Sequence, residues 1–212
     1  MAGPIDYRNA KGEKLPSNTT IIGSNLGWKT PGLIHWAWNL GTQGVDYRKA
    51  RDEAAGIGTL VHARIEAELH RRPAPDEAWF WDWIKDDEKA LKDAEQKIEN
   101  SMLAFWEWRD TVGIEITGSE EPLVCECYQY GTTLDHPALI KGRRRILEVK
   151  TSNDVYADFW IQMSAQGHAW NCNHAYEPHH NPRQIVTGYD LLHIGKETGG
   201  FAHHYRPSLD KA

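Results

Sequence analysis

The chain lacks the long apolar run that a membrane-spanning helix requires, since no stretch reaches about 18 consecutive apolar residues. Its first residues lack a basic segment followed by an apolar one, so no secretory signal is expected. Hydrophobic residues make up 40% of the chain and charged residues 25%, which excludes a disordered tail or a collagen-like fibre. The 212 residues predict a single domain over 1–212. Because no secretory signal is expected, we expect the protein in the cytoplasm.

Cysteine is scarce, and its spacing does not suggest a disulfide framework. The three cysteines, Cys125, Cys127 and Cys172, are an odd number, so we expect reduced thiols. The histidines near the C-terminus lack the spacing to a cysteine pair that a zinc finger needs. We therefore expect them to be solvated loop side chains. These histidines are His174, His179, His180, His203 and His204.

Positive charge is also in short supply. The formal net charge is −6, which argues against a protein that coats nucleic acid through bulk charge. Residues 76–99 carry nine acids against four lysines, so most of the net negative charge falls in this segment. The remainder holds a basic run, Lys141-Gly142-Arg143-Arg144-Arg145. A local nucleic-acid site is therefore compatible with the acidic total.

The hydrophobic periodicity changes from helical to alternating and back along the chain. It predicts helices over 31–40, 46–71 and 155–170, and one long helix or two over 77–111. It predicts strands over 114–116, 122–130, 132–140, 143–151, 184–194 and 201–206. Gly56 and Gly58 weaken the second helix, so a new helix with Thr59 as its N-cap is a second interpretation. This order is typical of an α/β fold with a central mixed β-sheet flanked by helices. Residues 76–111 would be a helical insert with a solvated acidic face.

Two acidic residues become adjacent if Lys141-Gly142 forms a two-residue hairpin turn, in which glycine supplies a positive φ. That turn places Asp135 opposite Glu148 in a non-hydrogen-bonded pair, with Cβ atoms about 4.5–5.5 Å apart. Pro137 then falls where the ladder needs no N–H toward this partner. Lys150 lies on the same face as Glu148 because side chains alternate along a strand. The sequence thus predicts two carboxylates and a lysine at one point of the sheet.

Two carboxylates beside a lysine are an arrangement that can cut a phosphodiester bond. Carboxylate oxygens suit Mg²⁺ or Mn²⁺, and a cation held there polarises the phosphate and lowers the pKa of an attacking water. The lysine can orient that water and steady the developing negative charge. An ordinary cross-strand network of ion pairs on a surface hairpin is the alternative, and the three residues alone leave both interpretations open.

The motifs around these residues resemble those of the PD-(D/E)XK nuclease superfamily, and more closely its RecB-like branch, which includes phage exonucleases. Four motifs of the branch occur in order, within a resemblance that spans roughly residues 19–170. They are Gly58-Thr59-Leu60-Val61-His62, Tyr130-Gly131-Thr132-Thr133-Leu134-Asp135, Ile146-Leu147-Glu148-Val149-Lys150-Thr151-Ser152, and a helix with Gln162. Position 166 is glutamine where the branch's Q-x-x-x-Y motif has tyrosine, and Thr132 stands where a second glycine is more usual.

The resemblance implies a fold and a catalytic centre. The fold would be a restriction-endonuclease-like core carrying the helical insert. The side chains of His62, Asp135 and Glu148, with the main-chain carbonyl of Val149, would ligate the metal. Lys150 would be the catalytic lysine. The cofactor would be Mg²⁺ or Mn²⁺.

Further residues are expected to bind DNA or a second metal. By the resemblance, Gln162 would help to place the DNA backbone near the cut. Glu121 sits where related exonucleases often carry an acid on the preceding strand, with Glu120 as the alternative. Because position 166 is glutamine and not tyrosine, the resemblance leaves open how the DNA is positioned. The expected metal ligands are not affected by this difference. Within the basic run, Arg144 shares the catalytic face of its strand and is the expected phosphate contact.

These observations predict a metal-dependent DNA nuclease, an exonuclease of recombination or repair from a phage or a bacterium. A structure- or site-specific endonuclease and a non-catalytic DNA-binding protein that keeps the nuclease fold are the alternatives. Some RecB-like relatives hold an iron–sulfur cluster through four cysteines, which three cysteines cannot supply, so we expect no such cluster. DNA is the expected partner and a membrane is not. A homo-oligomer and a recombination partner protein are left open.

Tryptophan is abundant, with ten residues in the chain. Most are expected to pack in the core or the insert, whereas one or two could stack on unpaired bases. The candidates for either role are Trp36, Trp38, Trp79, Trp81, Trp83, Trp106 and Trp108.

Overall fold

The computed structural model describes residues 5–26, 30–118, 120–174 and 185–208, and it contains a mixed five-stranded β-sheet. The strands in chain order are β1 Ile114–Ile116, β2 Glu121–Cys125, β3 Tyr130–Leu134, β4 His136–Ile140, β5 Arg143–Lys150, β6 Tyr189–Gly195 and β7 Gly200–Arg206. The large sheet has the order β1-β4-β5-β6-β7, with β5 and β6 parallel and the other neighbours antiparallel. Strands β2 and β3 form a separate antiparallel pair.

Helices cover both faces of the large sheet, which confirms the predicted α/β class. They are α1 Asn18–Asn25, α2 Thr30–Thr42, α3 Tyr47–Leu69, α4 Ala78–Ile84, α5 Glu88–Thr111 and α6 Ala157–His174. Alternate residues of β5 enter two separate cores. Leu147 and Val149 pack with α3, α4 and α5, whereas Ile146 packs with α6 and the β2–β3 pair. Among the described residues, no helix is long and apolar enough to cross a membrane.

The acidic segment predicted as a helical insert forms α4 and α5. Its apolar residues are part of the main core, because Phe80 from α4 and Phe105 and Trp108 from α5 are fully buried there. The acids lie on the outer side, where Glu88 forms an exposed ion pair with Lys92 one turn along. The segment therefore covers one face of the sheet while its charged side faces solvent.

The helix predicted over 46–71 is a single helix. Asp46 caps the N-terminus of α3, and its side chain accepts a hydrogen bond from the first turn. Thr59 lies inside the helix, so the interpretation that a new helix begins there is wrong. Packing explains Gly56, because a Cβ at that position would lie 2.7 Å from the Phe80 ring. The glycine that weakens the helical pattern thus permits the close contact between α3 and α4.

The N-terminal region packs on the small sheet, and its helix α1 had no periodic signal in the sequence. Ser17 caps α1 through its hydroxyl oxygen. The Tyr7 hydroxyl lies 2.5 Å from that of Thr133, and the Gly131 N–H donates to the Pro16 carbonyl. Gly131 has to be glycine here because a Cβ would overlap the Tyr7 side chain. The first residues of the chain therefore brace β3.

The histidines expected to be solvated take up different environments. His179 and His180 lie outside the described residues. His174 stacks on Trp170 of the same helix, with ring centroids 4.0 Å apart. His203 is not simply solvated, because its Nε2 lies 2.9 Å from the buried carboxylate of Asp190. That carboxylate also pairs with Arg145, so the histidine helps to tie β7 to β6 and β5.

Alanine substitution of the helical glycines should separate packing from helix propensity. Gly56→Ala should lower the free energy of unfolding by about 1–3 kcal/mol, because the added methyl displaces the buried Phe80 ring. The control Gly23→Ala in α1 meets nothing within 4 Å. It should raise stability by up to about 1 kcal/mol through helix propensity. Urea unfolding followed by circular dichroism measures both, and shifts of the same sign would contradict the packing role of Gly56.

Candidate active site

A tight hairpin turn sets the register of the strands that carry the predicted site. Lys141 and Gly142 have φ values of 52° and 72°, as a two-residue turn of this kind requires. Strands β4 and β5 pair from Ile140 opposite Arg143 down to His136 opposite Leu147. The predicted register of this hairpin is confirmed.

The predicted strand over 132–140 is broken by a bend at Asp135, which separates β3 from β4. The ladder between β4 and β5 therefore ends at the pair His136–Leu147 and does not include Asp135. The expected strand pairing of Asp135 with Glu148 is thus wrong in its detail. The charge and the side chain of Glu148 nevertheless raise the pKa of Asp135, so the two carboxyl groups are close to each other as predicted. The bend lets Asp135 join the small sheet to the large one.

Glu148 is fully buried at the centre of the site. Its Oε1 accepts from Nζ of Lys150 at 2.5 Å and from Nε2 of Gln162 at 3.4 Å, and its Oε2 accepts from Nε2 of Gln166 at 3.3 Å. Burial alone would raise the pKa of Glu148. The charge and hydrogen bond of Lys150 outweigh burial, with further contributions from His62 and Gln166, so this pKa lies below its usual value. Glu148 is therefore held as an anion.

Asp135 and Lys150 respond to the Glu148 charge in opposite ways. Burial, and then the negative charge of Glu148, hold the pKa of Asp135 well above its usual value. The two neighbouring carboxyl groups therefore resist ionising together. Burial lowers the pKa of Lys150, but Glu148 and Asp135 more than offset it, and the net shift is upward. The lysine stays a cation beside the anionic Glu148 and an Asp135 that is harder to ionise.

A cavity of about 990 Å³ opens beside these groups. Its lining includes the titratable residues His62, Glu66, Asp76, Glu120, Asp135, His136, Lys150 and Lys196. The cavity thus brings together three of the predicted site residues, which are His62 from α3, Asp135 from the bend and Lys150 from β5. Glu148 lies buried behind them, and the neighbouring Val149 directs its side chain into the core.

His62 contributes an imidazole from α3. Burial, and then the positive charge of Lys150, lower the pKa of His62. The neutral form that results is the form in which histidine ligates metals. The helix therefore places a neutral nitrogen donor on the cavity that Asp135 and Lys150 also line.

His136 is a site residue that the sequence analysis missed. Burial, and then the charge of His62, lower the pKa of His136 to about 4. Its Nδ1 and the Nε2 of His70 have no hydrogen-bond partner in the described part of the chain. A continuous strand would point Asp135 and His136 to opposite faces, whereas the bend brings both to the cavity. The residue type was visible in the sequence, but the bend that places it was not.

Glu120, which directly precedes β2, lines the cavity. Glu121, the first residue of β2, does not line it. Glu120 has a φ of 45°, and its N–H donates to the Asp135 carbonyl at 3.2 Å. Its charge contributes to the raised pKa of Asp135. Glu121 lies within β2, where its charge acts on Arg144. The structure thus places the alternative candidate beside the site, and not the preferred one.

The two glutamines of α6 hold the Glu148 carboxylate together. Gln162 lies where it was predicted, and Gln166 donates both to Glu148 and to the Thr133 carbonyl at 3.0 Å. The departure from the tyrosine motif therefore supplies a second amide to the same anion. Gln166 is fully buried and lies one helical turn from Gln162, so both amides face β5.

Arg144 lies on the same face of β5 as Glu148 but four positions away, or about 13 Å along the strand. Its Nη1 donates to the Thr117 hydroxyl, and its guanidinium lies 4.9 Å above the Trp170 ring. Arg144 does not line the cavity. The predicted phosphate contact is therefore separated from the carboxylates by half the strand.

Leucine at position 166 should expose how much the site depends on that amide. Gln166→Leu leaves one Glu148 oxygen and the Thr133 carbonyl without a donor, so the free energy of unfolding should fall by about 1–3 kcal/mol. The control is Gln96→Leu, which removes only an exposed contact with Asn100 on α5. Urea unfolding measures both variants. An unchanged midpoint for Gln166→Leu would contradict the role given to this residue.

Comparison with known proteins does not identify a family for this chain. No protein-family model matches the chain, and no curated protein matches it. The inference about function therefore depends on the buried carboxyl pair, the lysine and the histidines that surround the cavity.

Proposed function

We propose that the chain is a metal-dependent DNA nuclease of the PD-(D/E)XK type, with a restriction-endonuclease-like core of the RecB-like branch. The observation that carries the proposal is the contact of the Asp135 and Glu148 carboxyl groups beside Lys150 at one cavity. An ordinary ion-pair network on a surface hairpin would not bury a carboxylate completely, as Glu148 is buried here.

The residues at this point fit a divalent cation. Burial raises the pKa of Asp135 and the negative charge of Glu148 raises it further, so a cation beside both carboxyl groups would offset their repulsion. His62, Asp135 and Glu148, with the Val149 carbonyl, would hold one Mg²⁺ or Mn²⁺, whose preferred donors are oxygens. The bound cation would polarise the scissile phosphate and lower the pKa of an attacking water.

The chain's own residues supply the remaining chemistry. The Lys150 ammonium would orient the attacking water and stabilise negative charge on the phosphate in the transition state. Gln162 and Gln166 keep the Glu148 carboxylate in place through hydrogen bonds. Positioning of this kind contributes because the reacting groups need not be reorganised during the reaction.

The cavity wall also offers groups suited to a nucleotide strand. Trp79, which is 40% exposed, lines the cavity and presents an aromatic face. Base stacking on such a face contributes about 1–3 kcal/mol. Lys196 adds a cation to the lining. These groups favour a substrate strand that lies in the cavity with its phosphate at Lys150, and DNA strand ends are the substrate we propose.

A direct test compares DNA with and without ends. End-labelled linear duplex, linear single-stranded DNA and covalently closed circular DNA are incubated with the protein and Mg²⁺ or Mn²⁺. We expect digestion of linear DNA only, abolished by a chelator, as an exonuclease of recombination or repair requires. Cleavage of the circle would identify an endonuclease instead. Binding of DNA without cleavage would leave a non-catalytic DNA-binding protein and overturn the proposal.

Asp135→Ala and Lys150→Ala should fail in different ways. The first removes an anionic ligand, so Mn²⁺ affinity and cleavage should both collapse. The second leaves the carboxylates in place and removes a nearby positive charge, so Mn²⁺ should still bind while kcat falls by about 10²–10³-fold. His62→Ala should give an intermediate loss of Mn²⁺ affinity, because a neutral imidazole contributes geometry more than charge.

Calorimetric titration with Mn²⁺ and digestion of labelled DNA provide the two readouts for these variants. The controls are Asp82→Ala, whose side chain is 74% exposed on α4, and Lys141→Ala in the hairpin turn. Both should match the parent protein. A near parental cleavage rate in Lys150→Ala would remove the lysine from the mechanism. Parental Mn²⁺ affinity in Asp135→Ala would place the metal elsewhere.

A further inference from the structure

Two of the three cysteines meet a histidine at a point remote from the carboxylates. Cys125 is the last residue of β2 and is fully buried, while Cys172 lies on α6. His168 precedes Cys172 by one helical turn, and its Nε2 lies 3.3 Å from the Cys172 Sγ. One ligand atom from each of these residues lies within 4.8 Å of the others. Two thiols and an imidazole thus surround a common point between the small sheet and α6.

The third cysteine, Cys127, is exposed in the turn that follows β2, two residues after Cys125. It lies outside the group of three ligand atoms, but a rotation of its side chain toward Cys125 would bring a fourth one to the same point. Four donors complete the tetrahedron that zinc takes in structural sites.

The neighbouring contacts fix the two halves of this cluster against each other. Asn173, beside Cys172, donates its side-chain amide to the Val124 carbonyl on β2 at 2.9 Å. The Tyr128 ring packs against His168 with centroids 4.9 Å apart. The sulfur and nitrogen atoms therefore stand on two elements that are already tied together. Such support is what a preorganised metal site needs.

With Cys127 turned toward the group, the donors would be three sulfurs and one nitrogen, and this set indicates which metal fits. Zinc takes Cys₃His ligands in a tetrahedron with Zn–S near 2.3 Å and Zn–N near 2.0 Å, so its ligand atoms lie about 3.4–3.8 Å apart. The 3.3 Å between the Cys172 Sγ and the His168 Nε2 is close to that spacing, and the ligand atoms of Cys125, His168 and Cys172 all lie within 4.8 Å of one another. Soft thiolates do not suit Mg²⁺ or Mn²⁺, which prefer oxygen.

We propose that Cys125, Cys127, His168 and Cys172 bind one structural zinc ion that ties the β2–β3 sheet to α6. The ligands form the spacings C-x-C and H-x₃-C, separated by 40 residues. The site is distinct from the carboxylate centre and does not depend on nuclease activity. It also assigns one role to all three cysteines, which the sequence predicts only to be reduced thiols.

Metal content of the purified protein is the primary test. Protein prepared under reducing conditions without added metal should contain one zinc per chain by mass spectrometry. Cobalt(II) exchanged into the site should give the thiolate charge-transfer and intense d–d bands of tetrahedral coordination. His168→Ala and Cys172→Ser should each lose the zinc and the cobalt bands. The control His174→Ala, on the same helix but outside the cluster, should keep both.

Thermal unfolding supplies an independent readout. A strong chelator should lower the Tm of the parent protein and leave that of His168→Ala unchanged. His168 is exposed, so its replacement should fold, and it decides the question if Cys172→Ser does not. Zinc that is absent from the parent, or held equally by His168→Ala, would overturn the proposal. So would a Cys125–Cys172 disulfide in the freshly purified protein, or iron with labile sulfide in place of zinc.

Discussion

The complete burial of the Glu148 carboxylate is the constraint on which the arrangement of the site depends. Removing an ion from water costs several kcal/mol, so the fold must return that solvation through donors and a counter-charge. Lys150 supplies the charge from the same strand, and Gln162 and Gln166 supply two amides from α6. Apolar contacts bring α6 to the sheet, but these hydrogen bonds fix which of its faces lies against β5. The N-terminal region reinforces the position, since Asn18 donates to the Gln162 carbonyl.

A comparable constraint acts on the neighbouring strand β6, where Asp190 stands opposite Leu147. The buried Asp190 carboxylate lies between Arg145 of β5, which compensates its charge, and His203 of β7, whose Nε2 lies within hydrogen-bond distance. Three neighbouring strands therefore share one anion. Unlike Asp135 and Glu148, Asp190 has nitrogen partners on both sides, and no contact with a second carboxylate occurs among the described residues. Its surroundings are suited to holding strands together, whereas those of Asp135 and Glu148 are suited to a cation.

The sequence was most informative where a local rule determines geometry. Positive φ at Lys141-Gly142 and strict alternation gave the β4–β5 register and placed Lys150 beside Glu148. The sequence was least informative where tertiary contacts determine the position of a side chain. The bend at Asp135 brings His136 to the cavity, and nothing in the local pattern signals it. Gln166 was interpreted as a departure from a motif, although its amide contacts the same anion as Gln162.

Asp135 is the joint between two sheets as well as a carboxyl group of the candidate site. The small sheet ends at this residue and the large one begins after it, so the distance from Asp135 to Glu148 follows the angle between the sheets. Thermodynamic linkage makes that dependence reciprocal. An interaction that holds the small sheet in its present position also holds Asp135 close to Glu148. A cation bound by both carboxyl groups would in turn restrict the angle between the two sheets. The affinity of this centre for the proposed cation would thus measure how rigidly the two sheets are held.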